Sequence, residues 1–225
     1  MLQLCQVNKF YQDQQQRDRQ VLEDVSLLAI PGDFIGIWGE HRAGKTTLLS
    51  IMAGLIPKDS GEIRFNLITP SQPSRLTISL LGHSSHPATD ITVRQYLFMA
   101  TSPLQATECH DAVQQRLYRL ILECRLEHVL DQSLHELTPE QIQFAALAYS
   151  LLGRPQVLLA DEPTFGLLQD TRLLQRLTDI ALKGHIVIMT SSNLQALRYC
   201  NRLFVLEEGR LRPTKRHAQA DMAMV

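Results

Sequence analysis

The four cysteines of this chain, Cys5, Cys109, Cys124 and Cys200, are scattered along 225 residues with no paired spacing. That excludes a disulfide framework or a zinc ribbon and fits reduced, half-buried thiols. Long apolar runs are missing too: runs such as 157–160 and 186–189 fall far short of the ~18 residues that read as a membrane span. The first residues lack the pattern of a secretory leader, so the chain is expected to stay in the cytosol. Neither sign of charge dominates. With 22 Lys and Arg against 23 Asp and Glu, the basic footprint that captures nucleic acid is absent, and nucleic acid is not an expected partner. No internal repeat is visible. The length suits one large α/β domain carrying an inserted lobe and is short for two independent cores.

What is present is an alternation of apolar strands and helical periods. Residues 2–7 and 21–30 read as short strands around a polar segment, 12–20, that suits a solvated hairpin loop. Residues 34–38 form a fully apolar strand running into a glycine-bearing turn, and 45–53 continue as a helix ended by Gly54. A second buried strand at 157–160 is followed by a helical pattern at 171–182, a strand at 185–190, a short helix and a strand at 202–206. This order predicts a largely parallel sheet. Between the two blocks, Leu117, Leu120, Ile121, Cys124 and Leu126 step by helical intervals, so residues 92–152 are expected to form an inserted helical subdomain, with 1–91 and 153–211 as the core of a single domain. The polar, Ala-rich end, residues 212–225, is expected to be a flexible tail.

Two motifs carry chemistry. Gly39-Glu40-His41-Arg42-Ala43-Gly44-Lys45-Thr46 satisfies G-x-x-x-x-G-K-[ST] after a strand and at a helix start. Small residues let successive N–H groups wrap phosphates, a lysine meets the β and γ charges, and the hydroxyl of Thr46 ligates magnesium. The pattern arises by chance in roughly one chain of this length in a hundred. The alternative is a glycine turn bearing an exposed lysine. Gly39, Arg42, Ala43, Gly44, Lys45, Thr46 and Thr47 are therefore the candidates for ATP binding. The second motif is the apolar strand 157–160 delivering Asp161 and Glu162 at its C-terminal edge, followed by Pro163. Asp161 would hold magnesium, and Glu162 would act as general base toward an attacking water. Alone, the pair also reads as a solvated strand end and turn.

With these motifs in order, the chain resembles the ATP-binding cassette (ABC) family up to about residue 211. Gly39 to Thr46 looks like Walker A, and Asp161 and Glu162 with their strand look like Walker B and its catalytic glutamate. Val21-Leu22-Glu23-Asp24-Val25-Ser26-Leu27, Pro31-Gly32-Asp33, Gly54-Leu55-Ile56-Pro57 and Ser60-Gly61-Glu62-Ile63 resemble the segments flanking Walker A. Tyr11 falls where the family's adenine-stacking aromatic lies. The resemblance implies a P-loop NTPase (RecA-like) core, antiparallel N-terminal strands and a helical insertion.

Four family motifs are altered. Leu137-Thr138-Pro139-Glu140-Gln141 stands at the signature, L-S-G-G-Q in the family, 20 residues ahead of Asp161. Pro139 removes an N–H donor, and Glu140 puts a carboxylate where the family presents glycine to a partner's phosphate. The same residues make a good helix start, with Thr138 as N-cap, Pro139 at N1 and Gln141 closing a capping box. His83 stands at the Q-loop position, as a water or magnesium ligand or as a solvated side chain. Ser192 stands at the switch-histidine position and offers only a hydroxyl. Phe165-Gly166-Leu167-Leu168 replaces the aspartate-bearing loop after Walker B, with Asp170 close by.

The resemblance implies an ATP-binding subunit of an ABC transporter or mechanotransmission complex. It would bind Mg-ATP, couple dimer closure to separate membrane permease subunits docked around residues 83–99, and lie on the cytoplasmic face of the membrane. The altered motifs imply weak intrinsic hydrolysis and a heterodimer with an intact second cassette. The alternative is a non-hydrolysing ATP-binding regulatory or structural subunit of a membrane assembly.

Overall fold

The computed structural model describes residues 1–12, 18–65, 77–82, 90–105, 108–167 and 171–214. In chain order its strands are β1 (Leu2–Gln12), β2 (Asp18–Ala29), β3 (Phe34–Trp38), β4 (Ser60–Phe65), β5 (Ile78–Leu81), β6 (Val157–Asp161), β7 (Ile186–Ser191), β8 (Arg202–Glu207) and β9 (Arg210–Thr214). The helices are α1 (Lys45–Met52), α2 (Val93–Met99), α3 (Ser102–Gln105), α4 (His110–Glu123), α5 (Pro139–Leu152) and α6 (Thr171–Leu182).

The strands form two sheets. One is antiparallel, in the order β2-β1-β4, and the other runs β5-β6-β7-β3-β8-β9. In the larger sheet β5, β6, β7, β3 and β8 are parallel and β9 closes the edge antiparallel to β8. The unbroken apolar runs at β3, β6 and β7 follow from this arrangement, because a parallel sheet is covered on both faces. Side chains alternate across the pleat. Ile35, Ile37, Val157, Leu159, Ile186 and Ile188 pack with Leu48, Leu49, Leu2 and Leu4 of α1 and β1. Phe34, Leu158, Ala160, Val187 and Met189 pack on the other face with Leu147 of α5 and Leu174 and Leu177 of α6. Gly36 lies between these residues because nothing larger fits: a Cβ there would stand 2.8 Å from Cys200 Sγ and 2.8 Å from Leu197.

The helices α2, α4 and α5 bury Val93, Leu97, Leu120, Ile121, Ala145 and Leu147 in the same cluster that covers the sheet. Tyr96 and Tyr149 stack with ring centroids 4.7 Å apart, joining α2 to α5. Arg116 on α4 donates to the Leu152 carbonyl at 2.6 Å, satisfying an orphan acceptor at the end of α5. None of the four cysteines is in a disulfide. Burial pushes the Cys124 thiol up to about 12, which leaves it protonated and inert at neutral pH.

Two expectations need correction. The polar segment 12–20 is not all loop: β1 runs to Gln12 and β2 starts at Asp18, with Tyr11 opposite Arg19. Backbone pairing continues the ladder past the last apolar residue, since solvent-facing strand positions need no apolar side chain. The flexible tail does not begin at 212, because Arg212, Pro213 and Thr214 pair with Val205, Phe204 and Leu203. Pro213 is tolerated on an edge strand, where no neighbour needs its missing N–H.

Candidate functional site

Register gathers the site. Trp38, the last residue of β3, is level with Ser191 of β7 and Val205 of β8, and Asp161 at the end of β6 is level with Thr190. The loops after β3, β6 and β7 therefore leave the sheet along one C-terminal edge, where α/β sheets hold ligands.

The turn after β3 needs its glycines. Gly44 sits at φ 100° as the N-cap of α1, and a Cβ there would press on Val21 at 3.0 Å. At Gly39 a Cβ would stand 2.8 Å from the Leu206 carbonyl. Gly44 supplies no side-chain cap, so the first-turn N–H groups of α1 have no intrahelical acceptor and suit an anion. Lys45, only 6% exposed, donates to the carbonyls of Gly39 at 2.5 Å and Glu40 at 3.0 Å, and its ammonium lies 3.0 Å from Glu162 Oε1. That contact is ionic without hydrogen-bond alignment: the buried Oε1 has no donor among the described residues.

The carboxylates are held from both sides. Thr46 donates to Asp161 Oδ2 at 2.6 Å and Thr190 to Asp161 Oδ1 at 2.6 Å. Glu162 takes φ 46°, a left-handed backbone that is uncommon outside glycine and worth a functional question. Its N–H donates to Thr190 Oγ1 at 3.1 Å. Its Oε2 accepts from the Ser192 N–H at 3.0 Å and hydroxyl at 3.3 Å. Thr190 is the residue that sequence reasoning missed. Its signal was a hydroxyl at the C-terminal edge of an apolar strand, level with the paired acids.

Tyr11, Arg42, Ala43, Gly44, Lys45, Thr46, Thr47, Asp161 and Glu162 line one cleft of about 990 Å³, joined by Arg19, Val21 and Phe165. Tyr11 is 42% exposed, with the Lys9 ammonium 5.4 Å above its ring. The oxygen donors of Thr46 and Asp161 suit a hard cation such as magnesium, which takes one or two carboxylates and completes its shell with phosphate and water. The buried, donor-free Oε1 of Glu162 and the glycine-cleared cradle over α1 fit a phosphate ester with its water.

Thr138, Glu140 and Gln141 are not among the residues lining the cleft. They start α5 in the expected capping box, Thr138 N–H to Gln141 Oε1 at 2.9 Å and Gln141 N–H to Thr138 Oγ1 at 3.3 Å. Glu140 is not a lone charge: Arg172 at the start of α6 pairs with it at 2.9 Å and lies 5.0 Å from the Phe144 ring centroid. His83, Leu168 and Asp170 lie outside the described residues.

The family model of the ABC transporter matches residues 22–165, which include the phosphate loop, both carboxylates and α2 to α5. The chain belongs to the ABC transporter family. This ABC cassette is 32% identical over 214 residues to the Nod factor export ATP-binding protein I of Burkholderia thailandensis, covering 91% of the chain and 67% of that protein. The protein of the same name from Paraburkholderia xenovorans is 31% identical over 201 residues, which are 86% of the chain and 65% of that relative's length. The ABC transporter ATP-binding protein YxdL of Bacillus subtilis is 26% identical over 225 residues, covering 94% of the chain and 85% of the relative. Among solved structures, the dimeric bacterial ABC transporter cassette MJ0796 superposes with a TM-score of 0.81 at 23% identity, over 96% of this chain and 98% of that one. That likeness shows the cassette fold. Among the described residues no helix is long and apolar enough to cross a membrane.

Proposed function

We propose that this cassette binds Mg-ATP in the cleft over α1 and couples nucleotide-driven closure to separate membrane permease subunits, with an intact second cassette completing its site. The observation that carries the reading is the convergence of Lys45, Thr46, Asp161 and Glu162 on one sheet edge. The first turn of α1 and the Lys45 ammonium bind the β and γ phosphates, and Tyr11 offers a ring at the mouth for the adenine. Thr46 and Asp161 hold magnesium, which when bound neutralises phosphate charge. Glu162, fixed through Oε2 by Ser192, accepts a proton from the attacking water. Before nucleotide arrives, Lys45 neutralises Glu162. An entering γ-phosphate competes for that ammonium and leaves the glutamate free to act as base.

Two features favour slow turnover. Ser192 meets Glu162 where the family uses an imidazole, and Pro139 lacks an N–H at the start of α5. Thr138 spends its N–H on the capping box, where its hydroxyl oxygen accepts from the Gln141 N–H. The Arg172 pair compensates part of the Glu140 charge, so a heterodimer follows more from the lost donor than from repulsion. A second reading is favoured by the same Ser192 contact: an ATP-occupied subunit that stabilises its assembly without hydrolysis. Calorimetry on the Lys45→Ala variant tests the shared core of both readings. Losing a charge-assisted phosphate contact of about 1.5–3 kcal/mol weakens Mg-ATP binding by about tenfold to a hundredfold, and equal affinity in the two proteins would sink the assignment.

A further inference from the structure

A second crevice, of about 320 Å³, opens between α4, α6 and the turn into β6, and shares no lining residue with the phosphate-loop cleft. Its wall is strongly cationic, with Arg116 and Arg119 from α4, Arg154 from the turn, and Arg176 and Lys183 from α6 and the residue after it. Against these five stand two carboxylates, both already used: Glu108 pairs with Arg116 and Glu123 with Arg176. Positive charge is therefore left over in a concave site, where low-dielectric walls strengthen its field.

Two of the five cations sit behind the wall. The side chain of Arg116 is 10% exposed and that of Arg176 16%, and the Nε–H of each is buried with no hydrogen-bond partner among the described residues. Guanidinium forks match phosphate oxygens in geometry as well as charge, and the volume admits a compact ligand.

We propose that this crevice is a second anion site taking a compact polyanion of the pyrophosphate class. Its oxygens accept from the exposed Arg119, Arg154 and Lys183 at the mouth, with the carboxylate-paired Arg116 and Arg176 adding to the field behind them. The experiment is calorimetry on the full chain with its phosphate-loop cleft filled by a non-hydrolysable ATP analogue and free magnesium removed. Added pyrophosphate binds further, and the Arg119→Gln, Lys183→Gln double variant weakens that event at least tenfold while leaving the affinity for the analogue unchanged. Should the analogue not bind, the same comparison is read on the Lys45→Ala chain. Failure of pyrophosphate to bind, or equal affinity with and without the two charges, overturns the site. Phosphatidylglycerol vesicles that hold the chain through Arg119 and Lys183 without competition from pyrophosphate would overturn it too, assigning the charge to a lipid surface.

Discussion

Thr190 joins the two acids of the site through a single hydroxyl, donating to Asp161 and accepting from the Glu162 backbone. It is fully buried, so the Thr190→Val variant keeps the volume and leaves Asp161 Oδ1 short of a partner, while the Glu162 N–H keeps its bond to the Thr190 carbonyl at 3.2 Å. The expected cost is about 1–3 kcal/mol, read as a lower urea midpoint at unchanged m-value, while Thr190→Ser keeps the hydroxyl and most of the stability. A valine variant as stable as the parent would remove the claim that this hydroxyl organises the pair. Lys45, Thr46, Asp161 and Glu162 could be picked out from the sequence because their spacing is local to two motifs. Thr190 and the Lys45–Glu162 pair could not, because they join residues far apart in the chain.

Helix α5 starts as its sequence dictates. Thr138, Pro139 and Gln141 are residues of the first turn, and each meets a local need: a side-chain acceptor, a fixed φ and a reciprocal cap. Thr138→Ala should cost about 1 kcal/mol of stability by thermal or urea unfolding. Glu140→Ala should cost less than that, since its pair with Arg172 is about half exposed on both sides and exposed pairs contribute little. Equal losses would mean that the ion pair holds α5 to α6 more firmly than its exposure allows. Strand β1 teaches the opposite lesson. Its continuation to Gln12 and pairing with Arg19 and Asp18 follow from a partner strand, which no periodicity in residues 12–20 announces.

At the scale of the molecule, the altered motifs concern how one copy meets another. In a Glu162→Gln background, sedimentation with Mg-ATP should find the chain monomeric, and the Pro139→Gly, Glu140→Gly double variant should dimerise, because an N–H donor returns and a carboxylate leaves. A parent that dimerises tightly would remove the case for an intact partner cassette. Alone, the unmodified chain should hydrolyse ATP below about one turnover per second, the low end of ordinary enzymes, and faster turnover that depends on Glu162 would overturn the reading of Ser192 and Pro139. The sequence by itself determined the apolar strands at 34–38 and 157–160, the phosphate loop, the helix at 171–182 and the capped start of α5. Each of these is set by contacts within a few residues or by a burial pattern with a fixed period. Only the tertiary structure decided that Thr190 binds Asp161, that Arg172 compensates Glu140, that residues 212–214 complete the sheet, and that five cations face one crevice. The first three are made across 7 to 32 positions of sequence and the crevice gathers cations from Arg116 to Lys183, and chain separation carries no local signal of which side chains the sheet order will bring together.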